Sequence, residues 1–232
     1  WGYNGYGEVG DGRTQNAYGP KKIPREWFND EKIVDITCSG GDSTSFYVRT
    51  SEDNIYGWGR NNVGQLGDTT TTDKYRPVKM SGFNAADNGG IAVWQADSYS
   101  SNSAFYILDG NGYIWATGYN GYGNFFDNST SNRTQLTQST ASPNGDIADF
   151  WAIQWNSYHT SFARLKNGET WTAGHSGGTT GGTSGCMHMQ AGDTTPFAGS
   201  FTYHTGDAGM YGSSAAGHVT VNGTGGGCMH MQ

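Results

Sequence analysis

The residues best suited to chemistry lie in the last quarter of the chain. There Gly185-Cys186-Met187-His188-Met189-Gln190 recurs unchanged as Gly227-Cys228-Met229-His230-Met231-Gln232. Thiol, imidazole and thioether together suit a soft ion such as Cu(I), and two copies could supply two thiolates and two imidazoles to zinc. Cys186, His188, Cys228 and His230 are therefore the candidate metal ligands. Cys and His stand only two positions apart, shorter than the usual zinc spacing, so the other reading is a duplicated strand or turn that packs Cys and Met into an interface. Catalytic sets are thin. His159, Asp109 and Ser161 contain the types of an acyl-transfer triad, but no nucleophile-elbow context surrounds them. The glycine clusters sit in turn-like segments and not before a helix, so no nucleotide-phosphate loop is expected. No enzyme activity and no cofactor are expected. Binding chemistry is better represented, because Tyr3, Tyr6, Tyr119 and Tyr122 stand in glycine-rich segments, and turn-borne tyrosines bury large area at low entropic cost.

The elements that position these residues follow from an internal repeat. Two apolar runs flank a polar turn in Ser45–Gly59, Ser103–Gly118 and Thr160–Gly174. The turns include Asp109-Gly110-Asn111-Gly112 and Asn167-Gly168, residue types that tolerate the left-handed backbone of a tight hairpin. Closing glycines fall at Gly2, Gly59, Gly118 and Gly174, at intervals of 57, 59 and 56 residues. A polar glycine-rich segment follows each of the first three, and a further apolar run precedes each hairpin, at Ile33–Cys38, Ile91–Ala96 and Phe150–Trp155. Each unit thus offers three or four short strands, the content of one propeller blade. One such sheet cannot bury both faces alone, so the aromatic and aliphatic rows must be buried by stacking sheet on sheet. Trp94, Trp151 and Trp155 read first as core residues of that stack. Asp11, Asp68 and Asp127 recur with the repeat, which points to turn hydrogen bonding over catalysis.

Two segments give the repeat a resemblance. Ile55-Tyr56-Gly57-Trp58-Gly59-Arg60-Asn61-Asn62-Val63-Gly64-Gln65-Leu66-Gly67-Asp68 and Trp1-Gly2-Tyr3-Asn4-Gly5-Tyr6-Gly7-Glu8-Val9-Gly10-Asp11-Gly12 resemble the regulator of chromosome condensation (RCC1) repeat family. The likeness covers residues 1–174 and loosens in the third unit, where Gly-Asn-Phe-Phe-Asp at 123–127 replaces Gly-Gln-Leu-Gly-Asp. It implies an all-β RCC1-like propeller, here a partial one or one of about four blades, because the family usually forms seven. Residues 1–174 are expected as blade repeats. Residues 175–232 are expected as a Gly/His/Met-rich segment, read either as a degenerate fourth blade or as a connector. That segment holds no Lys, Arg or Trp but five of the six His and five of the six Met.

Composition bounds the function. The 232 residues include 38 Gly and 14 Tyr, only 14% are charged, and the net charge is −7. Such a balance argues against wrapping a nucleic-acid backbone. No apolar run reaches membrane-spanning length, so no membrane insertion is expected. Abundant Gly, Asn, Thr, Ser and Tyr with few charges leads to the expectation of a non-catalytic structural or adhesive module. Its setting would be an extracellular, bacterial-surface or virion assembly such as a phage tail or fibre, and its partners other chains of that assembly, including copies of itself. A cell-surface glycan is an alternative partner. The resemblance implies a further alternative, an RCC1-type regulator acting as a guanine-nucleotide exchange factor or chromatin-associated scaffold.

Overall fold

The computed structural model describes residues 1–40, 44–96, 102–141, 145–155, 158–174, 187–189 and 229–231. The repeated apolar runs form antiparallel sheets. Strands β1 (Ile33–Cys38), β2 (Ser45–Thr50), β3 (Ile55–Gly59) and β4 (Lys74–Lys79) make the first sheet in that order. β5 (Ile91–Ala96), β6 (Ala104–Asp109), β7 (Ile114–Gly118) and β8 (Arg133–Gln138) make the second with the same topology. β9 (Ile147–Trp155), β10 (Tyr158–Leu165) and β11 (Thr170–Gly174) make the third, with β10 central. A single 3-10 turn, Arg25–Phe28, precedes β1.

The hairpin at the centre of each sheet is closed by the same device. The amides of Asp53, Gly112 and Gly168 donate back to the carbonyls of Thr50, Asp109 and Leu165 at 3.0, 3.1 and 2.9 Å. All three donors sit in the left-handed region, at φ 57°, 86° and 90°, which Gly and Asp reach at lowest cost. The registers also correspond, pairing Ser45 with Gly59, Ala104 with Gly118 and Thr160 with Gly174. Tyr47, Tyr106 and Phe162 are therefore equivalent positions, as are Phe46, Phe105 and Ser161.

Sheets stack because alternate residues of a strand serve opposite neighbours. On β6, Phe105 and Ile107 join Tyr47, Ile55 and Leu66 in the core between the first and second sheets. Tyr106 and Leu108 join Ile147, Phe150, Ala163 and Leu165 in the core between the second and third. Every residue of β6 is consequently buried. Tyr47 packs on Phe105 at 4.5 Å between ring centroids, and Tyr106 on Phe150 at 5.1 Å. The strands that open the sheets lie side by side. Trp94 Nε1 of β5 donates to Asp35 Oδ2 of β1 at 3.0 Å, and β5 in turn lies against β9. The architecture is all-β, an unclosed propeller segment among the described residues. Beyond Gly174 the described residues form β12 (Met187–Met189) and β13 (Met229–Met231), a parallel pair that sets His188 opposite His230. The rest of the expected fourth unit over 175–232 lies outside the described residues.

Candidate protein-interaction site on the blade loops

Three loops of one conformation occupy the same end of the stack, at residues 3–16, 60–73 and 119–132. An asparagine is the plug of each. Asn61 Nδ2 donates to the carbonyls of Thr70 and Thr72 at 3.1 Å and to Asp68 Oδ1 at 3.0 Å, while its Oδ1 accepts the Leu66 amide at 2.9 Å. Asn4 repeats the pattern with the carbonyls of Arg13 and Gln15 and the amide of Val9. Asn120 repeats it with Ser129 O and the amide of Phe125. The backbone amides of Asn4, Asn61 and Asn120 are answered in turn by the side chains of Asn16, Asp73 and Asn132. All three plugs are completely buried, so one side-chain amide supplies what secondary structure supplies elsewhere. Asp68 and Asp127 close the turn beside the plug by accepting the amides of Thr70 and Ser129, at 3.1 and 3.0 Å. Ion pairs to Lys74 at 2.8 Å and Arg133 at 2.6 Å hold both carboxylates. Burial would raise the Asp68 carboxyl, but Lys74 and Thr70 outweigh it and hold the group below its ordinary value.

Positive φ recurs at three matched positions: Gly7, Gly64 and Gly123; Gly10, Gly67 and Phe126; Gly12, Thr69 and Asn128. Each of the first two loops also grips the outer strand of a sheet. The Gly12 amide donates to Tyr75 O of β4 and the Thr69 amide to Thr134 O of β8, both at 2.7 Å. Trp58 Nε1 of β3 donates to Glu8 O at 2.9 Å and Thr117 Oγ1 of β7 to Gly64 O at 2.9 Å. The second loop is thereby anchored to the second sheet, one unit further along the chain. These frames are rigid, and what they display varies.

The first and third loops carry the identical run Tyr-Asn-Gly-Tyr-Gly. In both, the first tyrosine ring folds over the glycine two positions on: a Cβ at Gly5 or Gly121 would lie 2.2 Å from the Tyr3 or Tyr119 hydroxyl. That leaves Tyr3 and Tyr6 edge to face at 6.4 Å and 64°, and Tyr119 and Tyr122 at 5.9 Å and 64°. The Tyr6 amide is fixed by Glu8 Oε2 at 2.9 Å. In the second loop Arg60 replaces the first tyrosine, and its guanidinium covers the Tyr6 ring at 4.4 Å. Asn62 reaches Asn102 at 3.1 Å, and Tyr119 packs on the buried His159 at 4.8 Å. Burial and the neighbouring Tyr122 push the Tyr119 hydroxyl up, so it stays neutral. Tyr3 remains 60% exposed. A row of pre-organised aromatic and amide groups thus runs along the loop end.

The other candidates resolve differently. Asp109 Oδ1 accepts the amides of Asn111 and Tyr113, and its Oδ2 accepts Trp115 Nε1, all at 2.9 Å. It ends β6 at a hairpin tip, whereas His159 stands near the start of β10. The Ser161 hydroxyl faces Tyr106 at 3.5 Å, so the three form no triad. Cys186 and Cys228 lie outside the described residues, and His188 and His230 are placed only as register partners. No group of three or more His, Cys, Asp or Glu able to hold a metal occurs among the described residues. Among them, too, no helix is long and apolar enough to cross a membrane. Sequence reasoning missed the three asparagine plugs, whose signal was recurrence of Asn at intervals of 57 and 59 residues.

Residues 1–46 and 52–89 match the family model "Regulator of chromosome condensation (RCC1) repeat". The Ultraviolet-B receptor UVR8 of Arabidopsis thaliana is 29% identical over 155 residues, covering 67% of this chain and 32% of that protein. The E3 ubiquitin-protein ligase HERC2 of Homo sapiens is 26% identical over 118 residues, covering 51% of this chain and 2% of that one. This chain therefore spans a third or less of these relatives. The crystal structure of Prp20p from Saccharomyces cerevisiae, described with its binding properties to Gsp1p and histones, superposes with a TM-score of 0.55. Identity there is 19%, over 75% of this chain and 40% of that chain, a likeness of fold. The sequence relatives are thus an ultraviolet-B receptor and a ubiquitin ligase. They overturn the expected extracellular, bacterial-surface or virion location and the expected role in adhesion or a tail fibre. The match to this repeat agrees with the expectation of a binding module over an enzyme.

Proposed function

We propose, from the premise that this is an RCC1-repeat chain with an RCC1-like propeller fold, that it is an intracellular regulatory module whose protein partner docks across the loop end. The observation that carries this reading is the pair of identical Tyr-Asn-Gly-Tyr-Gly loops, each holding two tyrosines edge to face on a frame fixed by a buried asparagine. Rigid aromatic anchors surrounded by amides and an arginine are the composition of an interface hot spot. Tyr3, Tyr6, Arg60, Asn62, Tyr119 and Tyr122 are the proposed contact residues. The binding of Gsp1p and histones by Prp20p supplies the first probes. Binding of the chain to Gsp1p and to histone octamers is measured by interferometry, beside fluorescent guanine-nucleotide release from Gsp1p. The parent is expected to bind at least one probe, and Tyr3→Ala to bind it at least tenfold more weakly with an unchanged unfolding midpoint. Undiminished binding by the variant, or no binding of the parent to either probe, overturns the proposal. Accelerated nucleotide release would assign the exchange role within the same reading.

A further inference from the structure

The outer rims of the first two sheets differ in charge. Val78 and Lys79 of β4 pair with Gly57 and Tyr56 as Thr137 and Gln138 of β8 pair with Ala116 and Trp115. Arg76 and Lys79 therefore stand where Gln135 and Gln138 stand in the second sheet. The turn before β1 matches the turn before β5, because the Glu31 amide donates to Phe28 O as the Asn88 amide donates to Ala85 O. Trp27 accordingly stands where Asn84 does. Gln135 and Asn84 are both exposed although a complete sheet precedes theirs, so an outward position at these two places belongs to the rim of the repeat.

At the first rim one guanidinium is held from both sides. Arg76 lies over the Trp27 ring at 4.7 Å from its centroid, and a Cβ at Gly12 would lie 2.9 Å from Arg76 Nε. Among the described residues no carboxylate lies within ion-pair distance of Arg76, Lys79 or Arg25. Arg25 is exposed on the turn that packs against β4. An open depression of about 270 Å³ is lined by Gly12, Asp73, Lys74, Tyr75, Arg76 and Val78. Asp73 is engaged by the Asn61 amide and Lys74 by Asp68, which leaves Arg76 as the unpaired charge of its lining. The edge of β4 is closed to strand addition, since Pro77 has no amide to donate and Tyr75 O already accepts the Gly12 amide at 2.7 Å. What this rim offers is side chains.

We propose that the rim of the first sheet is a second docking surface, and that it takes an extended acidic segment of a protein partner carrying one bulky apolar residue. One carboxylate would pair with the Arg76 fork and others with Lys79 and Arg25, while the apolar side chain would enter the depression against Tyr75 and Val78. An arginine already fixed on an aromatic face loses little further freedom on pairing, and its planar fork meets a carboxylate in two parallel bonds. Glu26 and Asp30, exposed on and just after the turn that carries Arg25, interrupt the positive charge. That pattern disfavours the evenly charged backbone of a nucleic acid and favours a peptide whose carboxylates are spaced.

The probe is a fluorescein-labelled peptide, Glu-Glu-Leu-Glu-Glu, titrated with the full chain up to about 1 mM and followed by fluorescence anisotropy. Saturable binding that weakens as salt is added is expected. Arg76→Gln installs the residue that the second sheet already carries at this place. It is expected to weaken binding about tenfold, the loss of one charged bidentate pair, with an unchanged unfolding midpoint. Lys79→Gln is expected to weaken it less, and a peptide with glutamine in place of glutamate is expected not to bind. No binding by the parent, undiminished binding by Arg76→Gln, or equal binding of the glutamine peptide overturns the proposal. Displacement of the probe by duplex DNA at lower concentration than by the unlabelled peptide overturns it too.

Discussion

A buried side-chain amide that stands in for backbone has no replacement when it is removed. Asn61→Ala strips the partners from two carbonyls and one amide inside a closed loop. Unsatisfied buried groups cost about 1–3 kcal/mol each before relaxation, so a net loss of about 3 kcal/mol is expected in urea unfolding. Thr69 predicts the opposite sign. It is β-branched at φ 72°, where its equivalent in the first loop is Gly12, and strain of this kind costs about 1 kcal/mol or more. Thr69→Gly is expected to leave the unfolding midpoint unchanged or raise it. Acid sensitivity follows from the lowered carboxyls. Burial would raise Glu31, but bonds from Thr50 and Asn54 and the charge of Lys79 outweigh it, and its pKa falls below 4.5 as that of Asp68 falls below 3.8. The unfolded chain therefore takes up these protons first. The stabilisation is whole above about pH 5 and is lost as pH falls through the ordinary values toward the folded ones. Asp68→Asn is expected to show a shallower loss of stability with falling pH than the parent.

At the scale of the element, a glycine and a tyrosine make the loop display. Asn62 stands where Gly5 and Gly121 stand, so an aromatic ring at position 60 has no floor to fold onto. Arg60→Tyr alone is expected not to form an edge-to-face pair, whereas Arg60→Tyr/Asn62→Gly/Val63→Tyr is, as read from ring-current shifts of the tyrosine protons. The strands and hairpins were legible because their chemistry is local: alternating apolar residues, Asp-Gly and Asn-Gly turns, and closing glycines in one register. The turn role of Asp68 and Asp127 was legible for the same reason. The left-handed backbone at Phe126 and Thr69 was not, since neither residue type advertises it and only the frame imposes it. Asn4, Asn61 and Asn120 stood in view, but asparagine is common in every turn, and its burial depends on a carbonyl ring that sequence does not display. The tyrosines were readable as turn-borne, while their pairing depends on the glycines beneath them.

Across the whole molecule, stability is carried between neighbours. Phe150 is nearly completely buried against Tyr106 and Phe126, and truncating such a ring costs about 3–5 kcal/mol. Phe150→Ala is expected to lower hydrogen-exchange protection in β9–β11 far more than in β1–β4, because the loss falls on one interface of a one-dimensional stack. The location expected from composition failed at this scale, because low charge and abundant glycine carry no address. Among the described residues no core cluster joins the first sheet to the third, and this serial construction has a mechanical consequence. Pulled by its ends, the described stack should yield as links in a chain, each rupture freeing one repeat interval of 56 to 59 residues. At about 3.3–3.6 Å per residue that is roughly 190–210 Å of slack per step. A force trace would then count the sheets as a series of evenly spaced teeth.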